Sequence, residues 1–360
     1  MRWTHAVLAA MGLLSSGLTA VRGADVAAEV AEDNSLKSAL VTPHTAWARP
    51  LAGKPIRVLF LINDGHGNES YTEPGTRLRE AVELMQRLHI DGDAALVTPK
   101  GAFYQGAYGL NRALKLMETP YDVYVLGGVN YAGLDPEILY KILEHVVDKG
   151  AGLITCGTAS KLVFTAKRRE QETPLALWRG LPLGYLAQQA RLADSLEVDA
   201  KIAAKHIRAY RFGKGRGVHL SYRAHALTPY LPCRWRALTE YDYWMLMLSR
   251  AVQWAANRPA DVLVVPESAS VGRNELGKRT VAVQLAAGKA FSGVSVALRL
   301  RRGDGVVTDL PNRTVDLVAG VPQTLSITLP AGLRADDYFL DAIATADGCA
   351  VGAGAGYLSV

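Results

Sequence analysis

Cys156 closes the apolar run Ala151-Gly152-Leu153-Ile154-Thr155 and is followed at once by Gly157 and a helix-like stretch. An α/β protein holds a nucleophile at such a point. A strand-to-helix elbow lifts its apex side chain clear of neighbours, and the next backbone N–H groups can stabilise an oxyanion. Packing is the competing explanation, because an unpaired cysteine is frequently a small buried apolar side chain. A working thiolate also needs a base within reach. Two imidazoles are candidates: His219 lies inside the last core strand of this region, and His225 follows it. His225 is the preferred base, and the N–H groups of Gly128 and Gly157 are the oxyanion candidates. The pair Gly127-Gly128 also simply permits a tight turn.

A second group of polar residues, Asp64, His66 and Glu69, occupies a glycine-containing loop after the first strand. Open parallel sheets bind ligands at that end, so these three are pocket candidates. The competing reading is a polar loop that caps the helix beginning around Pro74. The run Gly213-Lys214-Gly215-Arg216-Gly217 lacks the phosphate-loop spacing and precedes a strand, so it reads as a hairpin turn. Cys156, Cys233 and Cys349 are far apart and show no CxxC spacing. No metal site and no cofactor is expected from them.

The elements that must position these residues alternate. Residues 57–62 form a continuous apolar run, as in a central parallel strand covered on both faces. Leu78, Val82, Met85 and Leu88 mark an amphipathic helix over 75–89. Strands follow at 93–98, 122–126 and 152–155, with helices at 107–118 and 134–149; the last has Asp135 as cap and Pro136 in its first turn. This succession predicts a doubly wound sheet, because parallel strands need crossover helices. The stretch 167–205 reads as irregular and 210–221 as a hairpin. A strongly apolar helix over 240–257 closes the first domain, with Met245, Leu248, Val252 and Ala255 on one core stripe.

Beyond Arg258-Pro259 the period changes to two. The alternating runs 281–285, 294–300, 325–329 and 338–345 are separated by Gly and Pro turns and predict a small antiparallel β-sandwich. The organisation expected is a signal peptide over 1–23, an irregular lead-in over 24–55, an α/β domain over 56–258 and an immunoglobulin-like β-sandwich over 259–360.

At 360 residues and 49% hydrophobic content the chain can bury a large core. Its net charge of +6 is scattered, with only Lys167-Arg168-Arg169 clustered, so no nucleic-acid partner is expected. Arg2 and His5 precede an apolar run from Ala6 to Leu14 and then small residues, a secretory pattern with cleavage after Ala20 or Gly23. Export to the periplasm or the extracellular space is the expectation, with an uncleaved N-terminal anchor as the alternative. No later segment is apolar enough to span a bilayer. The sequons at Asn68 and Asn312 matter only in a glycosylating host.

In order along the chain, Arg57-Val58-Leu59-Phe60-Leu61-Ile62, the segment YDVYVLGG, the helix LDPEILYKILEHVVDKGAG and the thiol-bearing GLITCGTASKL resemble the class I glutamine amidotransferase-like superfamily over about 57–257. The later GKGRGVHLSYRAHALTP and the tryptophan-bearing helix ending WAANRP are similar to secreted bacterial proteins that join this domain to β-sandwich modules. The resemblance implies a flavodoxin-like sheet with Cys156 at the nucleophile position. Two departures stand against catalysis. Ile154 replaces the glycine usual two residues before the thiol, and neither His219 nor His225 has the acidic residue expected two positions later: Ser221 and Leu227 stand there. An exported chain would also lack the ATP-dependent acceptor chemistry such enzymes serve. The expected function is therefore that of a catalytically degenerate amidotransferase-like protein, binding a small molecule, glycan or protein outside the cytoplasm. Two alternatives are an active Cys156–His225 amide hydrolase or amidotransferase, and a carbohydrate-associated module. The last is suggested only by the company such sandwiches keep.

Overall fold

A computed structural model of the chain describes residues 45–63, 78–98, 100–127, 129, 133–156, 168–171, 173–183, 196–220, 235–302 and 306–360. The protein is a mixed α/β fold, with one largely parallel sheet and two further, mainly antiparallel sheets. Four strands, β1 (Ile56–Asn63), β2 (Ile90–Val97), β3 (Val123–Gly127) and β4 (Gly152–Cys156), run parallel. Between them lie α1 (Leu78–Arg87), α2 (Ala107–Leu116) and α3 (Pro136–Val147). Asp135 caps α3 by accepting the Glu137 N–H at 2.9 Å, and Pro136 sits where its missing N–H costs nothing.

The stretch expected to be irregular contains an edge strand β5 (Arg168–Gln171), a short helix α4 (Leu175–Trp178) and α5 (Leu196–His206). Its prolines and mixed polarity hide this from a periodicity reading. A hairpin follows, β6 (Ile207–Phe212) and β7 (Gly215–Leu220), turning at Gly213 with φ +61°. A side chain there would also strike the Val147 carbonyl, which explains the glycine. The sheet order is β2-β1-β3-β4-β7-β6-β5, with β7 parallel to β4.

Alternate residues on the strands face opposite layers. Leu59, Leu61, Tyr124, Leu126 and Leu153 pack under α2 and α3. Val58, Phe60, Ile62, Val125, Ile154, Cys156 and Leu220 share a cluster with α1 and with α6 (Trp235–Ala255). From Tyr241 to Ala255 every residue of α6 is buried, including the polar Asp242, Ser249, Arg250 and Gln253. It stops in a Schellman turn: Asn257 takes φ +58°, and Arg258 N–H donates to the Gln253 carbonyl at 2.8 Å. The Arg258 guanidinium then donates to the carbonyls of Lys54 and Ala52 ahead of β1.

The remaining strands build a three-stranded sheet from β8 (Val262–Pro266), β10 (Thr280–Ala287) and β13 (Gln323–Thr328). A five-stranded sheet joins β9 (Ala269–Ser270), β11 (Phe291–Arg302), β12 (Val307–Leu317), β14 (Asp337–Ala346) and β15 (Cys349–Ser359). Val264, Val283, Val296, Leu298 and Leu340 lie in one apolar cluster between them. The opposite face of β14 and β15 supplies Phe339, Ala353, Ala355 and Tyr357 to the cluster of α6. The glycines of β15 let it lie against β8: a Cβ on Gly354 would sit 2.2 Å from the Val264 carbonyl oxygen.

Two features stand outside the hydrophobic pattern. Order begins before β1, for Trp47 is 1% exposed and Ala48 bridges to Leu88. The described residues, from Thr45 onward, belong to one compact unit.

Candidate functional site

Strand pairing defines the edge where the sequence candidates converge. Ile62 pairs with Gly127, Gly127 with Cys156, and Cys156 with Leu220. This row closes the carboxyl ends of β1, β3, β4 and β7. Chain order reverses between β1 and β3, since β2 lies on one side of β1 and β3 on the other. Open α/β sheets take their ligands in the crevice at such a reversal. Asp64, His66, Glu69, Gly128, Gly157 and His225 belong to segments that leave this row, and all six lie outside the described residues.

Cys156 is the last residue of β4 and is 2% exposed. Its side chain falls on the face covered by α1 and α6, in an apolar cluster. One residue earlier, Thr155 pairs with His219 on β7, and its hydroxyl is hydrogen-bonded to Nδ1 of that imidazole at 2.8 Å. The alternation of a strand directs Thr155 and His219 to the face opposite Cys156 and Leu220. His219 is thus a buried partner of a threonine and not the base beside this thiol.

A second imidazole is engaged deeper in the α/β layer. The Tyr124 hydroxyl accepts the Tyr121 N–H and pairs with Nδ1 of His145 on α3. Burial, and then the neighbouring Lys149, push His145 below its usual value, which favours the neutral ring. Burial holds Tyr124 up at about 12.

The largest polar constellation was not foreseen. On the face of α6 that meets the C-terminal sheets, Arg87 bonds Glu83 at 2.5 Å and Asp242 at 3.1 Å. Arg301 reaches the other oxygen of Asp242 at 2.7 Å, a close ion contact without hydrogen-bond alignment. It also reaches Asp341 at 2.6 Å. Arg299 bonds Asp341 at 3.1 Å, Tyr243 donates its hydroxyl to the same carboxylate at 2.8 Å, and Arg299 and Arg301 both donate to the Thr45 hydroxyl. Burial pushes the Asp242 carboxyl up, but the guanidiniums of Arg301 and Arg87 outweigh it and hold the group below the usual carboxylate value. Three guanidiniums and three carboxylates therefore balance in a low-dielectric seam. The signal was present in the sequence as single acids within apolar runs, Asp242 in YDYWMLML and Asp341 in YFLDAIA. Charges rarely occupy such positions without partners.

Among the described residues no group of three or more His, Cys, Asp or Glu gathers as a metal site would. No described helix is long and apolar enough to cross a membrane.

No protein-family model matches the chain, and no curated protein matches it. Among solved structures it is similar to a β-glucosidase from Listeria innocua, at 10% identity over 88% of this chain and 48% of that one, with a TM-score of 0.24. It is similar also to a cycloisomaltooligosaccharide glucanotransferase from Paenibacillus sp., at 19% identity over 27% of this chain and 13% of that one, with a TM-score of 0.20. The alkylpurine DNA glycosylase AlkC from Pseudomonas fluorescens matches at 14% identity over 34% of this chain and 40% of that one, with a TM-score of 0.19. The chain spans less than half the length of each of these structures. At such TM-scores none of them bears on fold or function.

Proposed function

We propose that the chain is an exported, class I glutamine amidotransferase-like domain of flavodoxin-like topology, joined to an immunoglobulin-like β-sandwich, and that it acts by binding without using Cys156 as a nucleophile. The observation that carries this reading is the orientation of the thiol. Cys156 packs into the apolar layer under α6, while the imidazole in register with its strand faces the other way and bonds Thr155. A thiolate is disfavoured in apolar surroundings, and His219, the imidazole in register with this strand, serves Thr155 on the other face. The strand order, with its reversal between β1 and β3, supports the flavodoxin-like assignment and keeps the crevice at the carboxyl ends as a place to hold a small molecule.

One observation favours the active-enzyme reading: Cys156 stands in the terminal row of the sheet, where a nucleophile elbow would begin. Alkylation decides between the two. In a Cys233→Ser, Cys349→Ser background, Cys156 is expected to react with iodoacetamide at pH 7 at least about 100-fold more slowly than in the unfolded chain, because about 2.7 kcal/mol of opening must precede reaction. Fast labelling whose rate rises at a pH below the ordinary thiol value of about 8.5, and which an amide substrate blocks, would overturn the binding-only reading.

A further inference from the structure

The outer face of the five-stranded sheet carries a groove of about 360 Å³ beside the seam, lined by residues of β11, β12 and β14. One row of the groove is set by strand register. Asp309 on β12 pairs with Arg299 on β11, and Arg299 pairs with Asp341 on β14. The next row is apolar, with Ala297 paired to Ile343. A β-bulge then brings in Asn312. Val296 pairs with Arg313 and Leu298 with Leu310, so two residues of β12, Pro311 and Asn312, stand opposite Ala297 alone. In a regular strand positions three apart face opposite ways; the extra residue places Asp309 and Asn312 on the same side, lining one groove.

The polar groups of this groove are fixed in unequal ways. Arg299 is held by Nε on Asp341 and by Nη2 on Thr45, which leaves Nη1 as the edge not engaged by a described residue. Asp341 is buried and already bonded by Tyr243 and Arg301. Asp309 and Asn312 are exposed and make no hydrogen bond to another described residue. The groove thus offers a preorganised donor, an acceptor carboxylate and an amide that does both, around a small apolar floor. An anionic ligand would meet the Asp309 carboxylate, and a cationic one would meet Arg299. A neutral molecule with adjacent hydroxyl groups satisfies all three, each hydroxyl donating to Asp309 or Asn312 and accepting from Arg299 or Asn312, with its C–H face on Ala297 and Ile343.

We infer that this groove, where Asp309, Arg299 and Asn312 converge at the β11–β12 bulge, is a binding site for a neutral saccharide. The volume lies within the range of small-molecule sites, roughly 300–1,000 Å³. The inference does not depend on the state of Cys156, and a Cys156→Ser chain should bind equally well.

The test is saturation-transfer NMR and calorimetry on the full chain with neutral cello-, malto- and laminari-oligosaccharides, alongside oligogalacturonides and inorganic phosphate. At least one neutral series should bind with Kd on the order of 0.1–1 mM. Asp309→Ala and Asn312→Ala should each weaken it about tenfold or more, the loss of a hydrogen bond to a charged or well-placed group. Thermal melts should be unchanged, because both side chains are exposed and unpaired with described residues. Absence of neutral-sugar binding up to about 10 mM, binding of only the acidic oligomers or phosphate, or neutral binding indifferent to both substitutions would each overturn the proposal.

Discussion

Replacing Asp242 by alanine removes the central carboxylate of the buried seam. In the parent, its two oxygens meet Arg87 at 3.1 Å and Arg301 at 2.7 Å. Glu83 still serves Arg87 and Asp341 still serves Arg301 after the change, but three guanidiniums then face two carboxylates, and Arg87 and Arg301 are nearly shut off from water. Removing one partner of a buried ion pair costs about 3–5 kcal/mol, because the remaining charge keeps its desolvation penalty. Against a total stability of about 5–15 kcal/mol, the variant should lose a large fraction of its folding free energy. The assay is urea denaturation followed by far-ultraviolet circular dichroism and by tryptophan fluorescence. An Arg87→Met, Asp242→Leu double variant should lose less than the sum of its single changes by about 1 kcal/mol or more, since it removes a cation together with its anion. The seam also has a pH signature. The Asp242 carboxyl is depressed in the folded state, so its stabilisation is complete above the unfolded value of about 3.9 and is lost as pH falls from there through the folded value. Asp242→Ala should abolish that part of the acid slope. A cost below about 1 kcal/mol, with an unchanged acid limb, would refute the claim that these charges are desolvated and mutually dependent.

Three further outcomes follow from the packing. Trp47→Ala should cost about 3–5 kcal/mol by equilibrium denaturation, because a fully buried indole leaves a cavity between the lead-in and α6. Gly354→Ala should destabilise by about 1–3 kcal/mol, since its Cβ has no room against the Val264 carbonyl and β8 would have to move; the melting temperature measures it. His145 is depressed by burial and Lys149, so its contribution is whole above about pH 6.5 and declines as pH falls toward the folded value. Stability measured from pH 7 to 5 should therefore fall more steeply in the parent than in His145→Gln, by no more than about 1.4 kcal/mol per pH unit.

What could be read from the residues was what repeats. Leu59 and Leu61 against Val58, Phe60 and Ile62 announce a strand buried on both faces, and the mostly apolar stretch 240–257 announces a core helix. The glycine at 213 and the Asp135-Pro136 start of α3 were legible because local backbone chemistry demands them. Cys156 could be located at a strand end, but the direction of its side chain depends on register with β7, a relation 64 residues apart between Thr155 and His219. The seam was hidden for the same reason. Asp242 and Asp341 each look misplaced alone; pairing of β11 with β14 supplies the arginines of Asp341, and docking of α6 brings Asp242 to Arg87 and Arg301. Trp47 lies in a polar, proline-bearing stretch with no periodicity, and its burial comes from partners supplied by α6.

The position of β15 has a consequence for how the chain is made. Arg250 on α6 donates to the carbonyl of Ala353, 103 residues further on. At about 5–20 residues per second, that carbonyl is synthesised roughly 5–20 s after the helix. During that interval α6 can already pack on α1 and the parallel sheet, but the face that later meets Phe339, Ala353 and Tyr357 has nothing yet to lie against. A nascent chain in this condition is a natural client for a holding chaperone.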